Sequence, residues 1–323
     1  MHRVLTAIGA AILLFAATDG DAQQYPARTV RLIMPYPAGG STDIVGRLVA
    51  ERLTGSLGQT VIVDNRAGAS AQIGTEAAAR APADGYTLLM ATSTNAINHV
   101  LNPKLPYDFP RDFQPVALVA KAPQLLIVHP SLPARSVREF IAFAKSRPGE
   151  LSYSSSGVGT SGHLAMAAFA RESRLSMIHV PYKGNAPALN DLLGGQVATG
   201  FANVVSVMPH VNAKRLAALG VSSAKRSALA PEVPTIAELG FPGFDVTAWF
   251  GIMVPAGTPA TIVTRLNQDI VAILNSRQTQ ERLLGFGVDR APIDSPKEFA
   301  DFLQTDIQRW SQLVREAGIK PEQ

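Results

Sequence analysis

Two short glycine-rich stretches carry residue types spaced for holding an anion. The first is Ala38-Gly39-Gly40-Ser41-Thr42-Asp43, and the second is Gly157-Val158-Gly159-Thr160-Ser161-Gly162. Each follows an apolar segment suited to a strand and opens an amphipathic segment suited to a helix. At such a junction the first helical N–H groups have no partner inside the helix, and the positive end of its dipole lies there. Glycine lets a ligand come close to the backbone. The chemistry this favours is capture of a small anion such as a carboxylate. Ordinary capping by Ser41 or Thr42 and by Thr160 or Ser161 is the competing reading. Two such loops, one early in each expected domain, favour binding, because strand-to-helix loops line the ligand crevice of open α/β sheets.

Other chemistries fare less well. The second loop matches G-x-G-x-x-G, but its preceding strand holds Ser152, Ser154 and Ser155, and no acid follows Val180-Pro181-Tyr182-Lys183 to hold a ribose. His163 stands where a nucleophile elbow needs its last glycine. The six histidines (His2, His99, His129, His163, His179, His210) form no i, i+4 pair, so no metal site is expected. Asp43 could act as an acid or base, bind ligand, or favour the helix dipole. No catalytic residue, cofactor or metal is expected, and the sequence is read as a non-enzyme. An exported hydrolase or isomerase using Asp43 or His163 is the rival.

The elements that must position these loops alternate in βα fashion, predicting an α/β fold with mainly parallel sheets. Val30–Met34 is a strand, and Ile44, Val45, Leu48, Val49, Leu53 and Leu57 share one face of the helix that follows. Further strands are expected at 61–63, 86–91, 151–155, 178–180, 198–202, 216–221 and 248–254. Helices are expected at 74–80, 136–147, 163–172, 186–193, 259–276 and 296–317. Residues 116–128 are apolar but interrupted by Pro123, as expected where a chain crosses between domains. The expected organisation is residues 23–122 plus 248–323 as one discontinuous domain and 123–247 as the other.

The 323 residues are 46% hydrophobic and 17% charged, enough for a large core. There is no cysteine, which excludes disulfides and thiolate chemistry. A net charge of +4 is a small excess that argues weakly for acidic ligands and gives no ground for DNA, so no nucleic-acid partner is expected. Residues 1–22 read as a secretory signal: Arg3 is followed by a 14-residue apolar stretch, Val4–Ala17, and Gly20 and Ala22 sit before a cut at Gln23. Its loss removes one arginine and two aspartates, taking the net charge from +4 to +5. Export to a periplasm is expected.

The chain resembles the periplasmic solute receptors of tripartite tricarboxylate transporters, the Bug-type receptors, over nearly all of its length after the leader. The resemblance rests on Pro35-Tyr36-Pro37-Ala38-Gly39-Gly40 with Asp43, Asp64-Asn65-Arg66 with Gly68, and Asp84-Gly85-Tyr86-Thr87-Leu88-Leu89. It continues through Asp112–Val116, Ser156–Thr160 with His163-Leu164, Val180–Gly184, Pro231–Thr235 with Glu238, and Pro255–Pro259. It implies a two-lobed, type II periplasmic binding protein (a Venus flytrap) that closes on a small carboxylate and delivers it to the transporter's membrane permease subunits. A monomer is implied. A sensing receptor that feeds a signalling system begins with the same closure. Carried onto this sequence, the binding residues are Tyr36, Ala38, Gly39, Gly40 and Asp43 in one lobe and Ser156, Gly157, Gly159 and Thr160 in the other. Tyr182 and Asn203 are further lining residues. Members often carry an acid beside the position of Asn203; Ala202 stands here, which disfavours a ligand whose ammonium group needs an acidic partner.

Overall fold

The computed structural model describes residues 25–317. The expected signal at 1–22 lies outside the described residues. Among the described residues, eleven strands, eleven α-helices and one 3-10 turn build two sheets flanked by helices. The first lobe begins with β1 (Val30–Met34), α1 (Ser41–Leu57), β2 (Val61–Asn65), the 3-10 turn (Ala69–Ala71), α2 (Gln72–Ala79), β3 (Thr87–Thr92), α3 (Ser93–Leu101), α4 (Phe109–Asp112) and β4 (Phe113–Ala122). The second lobe contains β5 (Gln124–Val128), α5 (Val137–Lys145), β6 (Ser152–Ser155), α6 (Ser161–Ser173), β7 (Ile178–Pro181), α7 (Asn185–Leu193), β8 (Thr199–Asn203), α8 (Val204–Asn212) and β9 (Ala217–Val221). The chain then returns to the first lobe through β10 (Ala248–Pro255), α9 (Ala260–Asn275), α10 (Arg277–Phe286), β11 (Asp289–Arg290) and α11 (Pro296–Ala317).

Both sheets are mixed, where the sequence led us to expect mainly parallel ones. The order is β11-β4-β10-β3-β1-β2 in the first and β7-β6-β8-β5-β9 in the second. β1 runs parallel to β2 and β3, while β10 is antiparallel to β3 and β4. In the second sheet β6 is parallel to β7 and β8, and β5 is antiparallel to β8 and β9. The antiparallel pairs come from strands that cross between lobes. β4 ends at Ala122, Pro123 interrupts the ladder, and β5 starts at Gln124 in the other sheet. Proline lacks the N–H a ladder needs, so the break falls there.

Helix α1 forms as its periodicity predicts: Val45, Leu48, Val49 and Leu53 are fully buried, and Arg47 and Glu51 face solvent. Each such side chain stabilises by roughly 1.5–3 kcal/mol on burial. Gly58, with φ +66°, ends the helix by donating to the Thr54 carbonyl. The outer face of the first sheet packs α1 and α9 through Leu48, Ile252, Leu266 and Ile270. The outer face of the second packs Leu125, Ile127, Leu192 and Val207. Between them lies one core shared by both lobes, running from Ile33, Leu89 and Ile97 to Phe140, Phe169 and Phe201 and including Trp249, Phe299 and Trp310. Helix α11 packs on α3 and β4 of the first lobe and on α6 of the second. No described helix is long and apolar enough to cross a membrane.

Candidate functional site

A cleft of about 530 Å³ lies between the two sheets. Its walls are the starts of five helices. Gly40, Ser41 and Thr42 come from α1, and Thr92, Ser93 and Thr94 from α3; Ser161 comes from α6, Asn185 and Ala186 from α7, and Asn203 from α8. The caps of α1, α6, α7 and α8 make no side-chain hydrogen bond to their own helices. Those helix starts therefore leave their leading N–H groups for a bound molecule or water. Helix α3 differs, because the Thr92 N–H donates to Asn95 Oδ1 at 2.7 Å. Tyr36, Pro37, Ala248, Trp249 and Phe250 supply the apolar and aromatic side of the cleft, and Ser156 closes the rim. Among the described residues, no Lys, Arg, His, Asp or Glu lines it. The electrostatics come from neutral hydroxyls, amides and helix termini, which suits an anion lacking a cationic group.

The eleven residues singled out in the sequence divide into three groups. Tyr36, Gly40, Ser156 and Asn203 line the cleft. Gly157 and Tyr182 face an adjoining hollow of about 810 Å³, together with Tyr36 and Ser156. The Tyr182 hydroxyl donates to Asp191 Oδ2 at 2.7 Å. Ala38, Gly39, Asp43, Gly159 and Thr160 do not line the cleft; they shape the loops that do. Gly39 turns outward at φ +84° with open space around it.

Asp43 is 4% exposed and accepts from the Gly39 N–H (3.0 Å) and Arg47 Nε (2.8 Å) at Oδ2 and from Asn65 Nδ2 (2.9 Å) at Oδ1. Burial pushes its carboxyl up, but the bonds from Arg47, Gly39 and Asn65 and the Arg47 charge outweigh that and hold it below the usual range. Asp43 thus closes the first loop from behind. Thr160 Oγ donates to the Gly157 carbonyl at 2.8 Å, and Gly159, at φ +72°, packs on Leu101 and Asn98 of the other lobe. Two histidines back the second loop. His163 Nδ1 accepts from the Gly159 N–H at 3.2 Å. His179 Nε2 lies 2.7 Å from Ser155 Oγ, which also bonds the Gly157 backbone. Their rings stack 4.1 Å apart at 9°, and Tyr153 stacks on His179. Burial lowers His163 to about 3, with His179 contributing, and burial lowers His179 to about 4. Both rings are neutral at physiological pH.

Sequence reasoning missed Thr92–Thr94, Asn185, Ala186, Trp249 and Phe250 as lining residues. The signal for the first three was available: Thr-Ser-Thr follows an apolar strand directly. Trp249 and Phe250 sit at the return crossing, and nothing local marks them as cleft residues. Asn203 also ties the lobes together, since its Nδ2 donates to Ser41 Oγ at 2.9 Å.

A two-lobed α/β fold with an anion-suited cleft between its sheets defines the solute-receptor class. Residues 45–319 match the Tripartite tricarboxylate transporter family receptor. The chain belongs to that family. It is 40% identical over 327 residues to Protein BugT of Bordetella pertussis, with 99% of each chain covered. A solved structure named R. palustris Rpa4515 with adipate is 38% identical, with a TM-score of 0.89, and covers 92% of this chain and 100% of that one. The MatC (Rpa3494) structure from Rhodopseudomonas palustris with bound malate is 31% identical at a TM-score of 0.85, covering 90% and 100%.

Proposed function

We propose that the protein is a periplasmic receptor that captures a small organic carboxylate between its lobes and delivers it to the membrane permease of a tripartite tricarboxylate transporter. The observation that carries this is the convergence of five helix starts on a cleft lined, among the described residues, by no cationic side chain. A carboxylate accepting N–H and O–H bonds there gains roughly 1.5–3 kcal/mol per charge-assisted bond. One exposed helix terminus offers only about 0.3–1 kcal/mol, so a single lobe holds an acid weakly and the second lobe must complete the site. Ligand therefore selects the closed arrangement. The moving bodies are residues 23–122 with 248–323, and 123–247, hinged at Pro123 and Thr247. The adipate and malate in the two related structures support a carboxylate ligand. We read the protein as a monomer and not an enzyme: Asp43 and His163, the groups a hydrolase would use, hold loops and do not face the cleft.

The test is a thermal-shift screen of the purified protein against about fifty organic acids, amino acids and sugars. A carboxylate present at a hundredfold excess over its Kd should add about 2.7 kcal/mol of stability. Shifts confined to carboxylates support the reading. Shifts from sugars or cationic amino acids, with none from carboxylates, overturn it.

A further inference from the structure

Trp249 is a wall shared by two cavities. One is the ligand cleft; the other, of about 1430 Å³, lies on the opposite side near the crossing strands and is bordered by Lys121, Asp245, Phe302, Asp306 and Arg309. The Trp249 ring is 1% exposed and meets Phe299 and Phe302 edge-on, at 5.7 and 6.1 Å. Its Nε1 donates to Asp306 Oδ2 at 2.7 Å. The same oxygen accepts from Trp310 Nε1 at 2.7 Å, and Arg309 Nη2 donates to Oδ1 at 2.6 Å. Asp306 is 2% exposed, so this carboxylate is one of the few buried acids of the described chain, and three donors satisfy it. A buried carboxylate is retained only where its donors repay the desolvation. The bond to Trp310 alone would serve the core; the bond to Trp249 reaches a residue that also lines the cleft.

We infer that Asp306 is a positioning residue for the ligand cleft: from α11 it fixes the plane of the Trp249 indole, against which the hydrocarbon part of the bound carboxylate packs. The inference rests on the receptor reading for its affinity readout, but not for its spectroscopic one. The two partner tryptophans are the only ones in the chain, so indole fluorescence reports this cluster alone.

The experiment compares the wild-type protein with Asp306→Asn, Trp249→Phe, Trp310→Phe and the Asp306→Asn/Trp249→Phe double variant, by calorimetric titration with adipate and malate. An asparagine keeps the shape but cannot accept from all three donors. Asp306→Asn and Trp249→Phe should each weaken binding of whichever acid binds the wild type by about tenfold or more, the effect of losing a buried charged hydrogen bond. Trp310→Phe removes the other indole bond and should leave affinity within about twofold. The double variant should lose little beyond either single one, because the two act through one bond. Wild-type affinity in Asp306→Asn, or an equal loss in Trp310→Phe, overturns the inference. If neither acid binds the wild type, the emission of Trp249 in the Trp310→Phe background decides. A red shift with stronger acrylamide quenching on adding Asp306→Asn supports a fixed ring, and unchanged emission overturns it. If Asp306→Asn does not fold, wild-type affinity in Trp249→Phe overturns the inference, since the ring that Asp306 holds would then carry no ligand, and tenfold loss there with wild-type affinity in Trp310→Phe supports it.

Discussion

Asn203 Nδ2 donates to Ser41 Oγ at 2.9 Å, joining residues 162 positions apart across the cleft. One is the cap of α8 in the second lobe, and the other is the first residue of α1 in the first. The bond spans the two lobes, so under the proposed closing mechanism it contributes to the closed arrangement and not to either lobe. Asn203→Ala should weaken carboxylate binding by about 1 kcal/mol, roughly fivefold. The melting temperature without ligand should stay unchanged. Titration calorimetry and a thermal melt check both, and unaltered affinity would refute the bond's role in closure.

Glycines in the loops differ in what a side chain would meet. A Cβ on Gly162 would sit 2.5 Å from the Phe201 carbonyl oxygen, so Gly162→Ala must push the start of α6 away from β8. We expect a stability loss of about 1–3 kcal/mol and a tenfold or greater loss of carboxylate affinity. A Cβ on Gly39 meets nothing within 4 Å, and its cost is the left-handed backbone alone, about 1–2 kcal/mol. Denaturant melts with parallel titrations separate the two, and equal affinity loss in both variants would count against the placement of Gly39 outside the cleft.

Acid should loosen the second loop. His163 and His179 titrate near 3 and 4 in the folded protein against an ordinary value of 6.5. Their folded-state pKa values are lowered, so the unfolded chain binds more protons between about pH 6.5 and those values. Stability is then complete above pH 6.5 and falls as the pH drops through that window, by up to about 1.4 kcal/mol per pH unit for each proton taken up. Melting temperatures measured from pH 7 to pH 4.5 should fall steeply, and His163→Gln should flatten the slope. A slope identical to wild type would exclude His163 as its source.

Asp43 acts from behind the first loop. Asp43→Ala leaves the Gly39 N–H, the Asn65 amide and Arg47 without their acceptor. The expected cost is about 1–3 kcal/mol in urea unfolding, with weaker carboxylate binding as the loop loses its shape. A ligand-contact role instead predicts lost binding at unchanged stability.

Much of this was legible from periodicity. Strand Val30–Met34, helix α1 and the Pro123 crossing follow from apolar spacing and the missing proline N–H. Helix α3 escaped because Ser93, Thr94, Asn95 and Asn98 are all buried there, which erases the amphipathic pattern. β11 has two residues, too few to show any period. For the site, the two loops were legible as strand-to-helix junctions, but residue type alone does not separate a ligand contact from a loop brace at Asp43 or His163. Both carry chemistry, and both turn inward to hold backbone. Trp249 reaches the cleft only because β10 threads between β3 and β4, a relation no local stretch encodes.

The core shared by both lobes bears on how the protein melts. Ile33, Leu89 and Ile97 belong to one buried cluster with Phe140, Phe169 and Phe201, and α11 covers elements of both lobes. Unfolding one lobe would expose apolar surface of the other, so neither has a stable life alone. The chain should therefore behave as a single cooperative unit: one heat-capacity peak, with calorimetric and van't Hoff enthalpies that agree. Any opening of the cleft about Pro123 and Thr247 must then keep that common interior intact, so freedom between the halves is traded for all-or-none integrity.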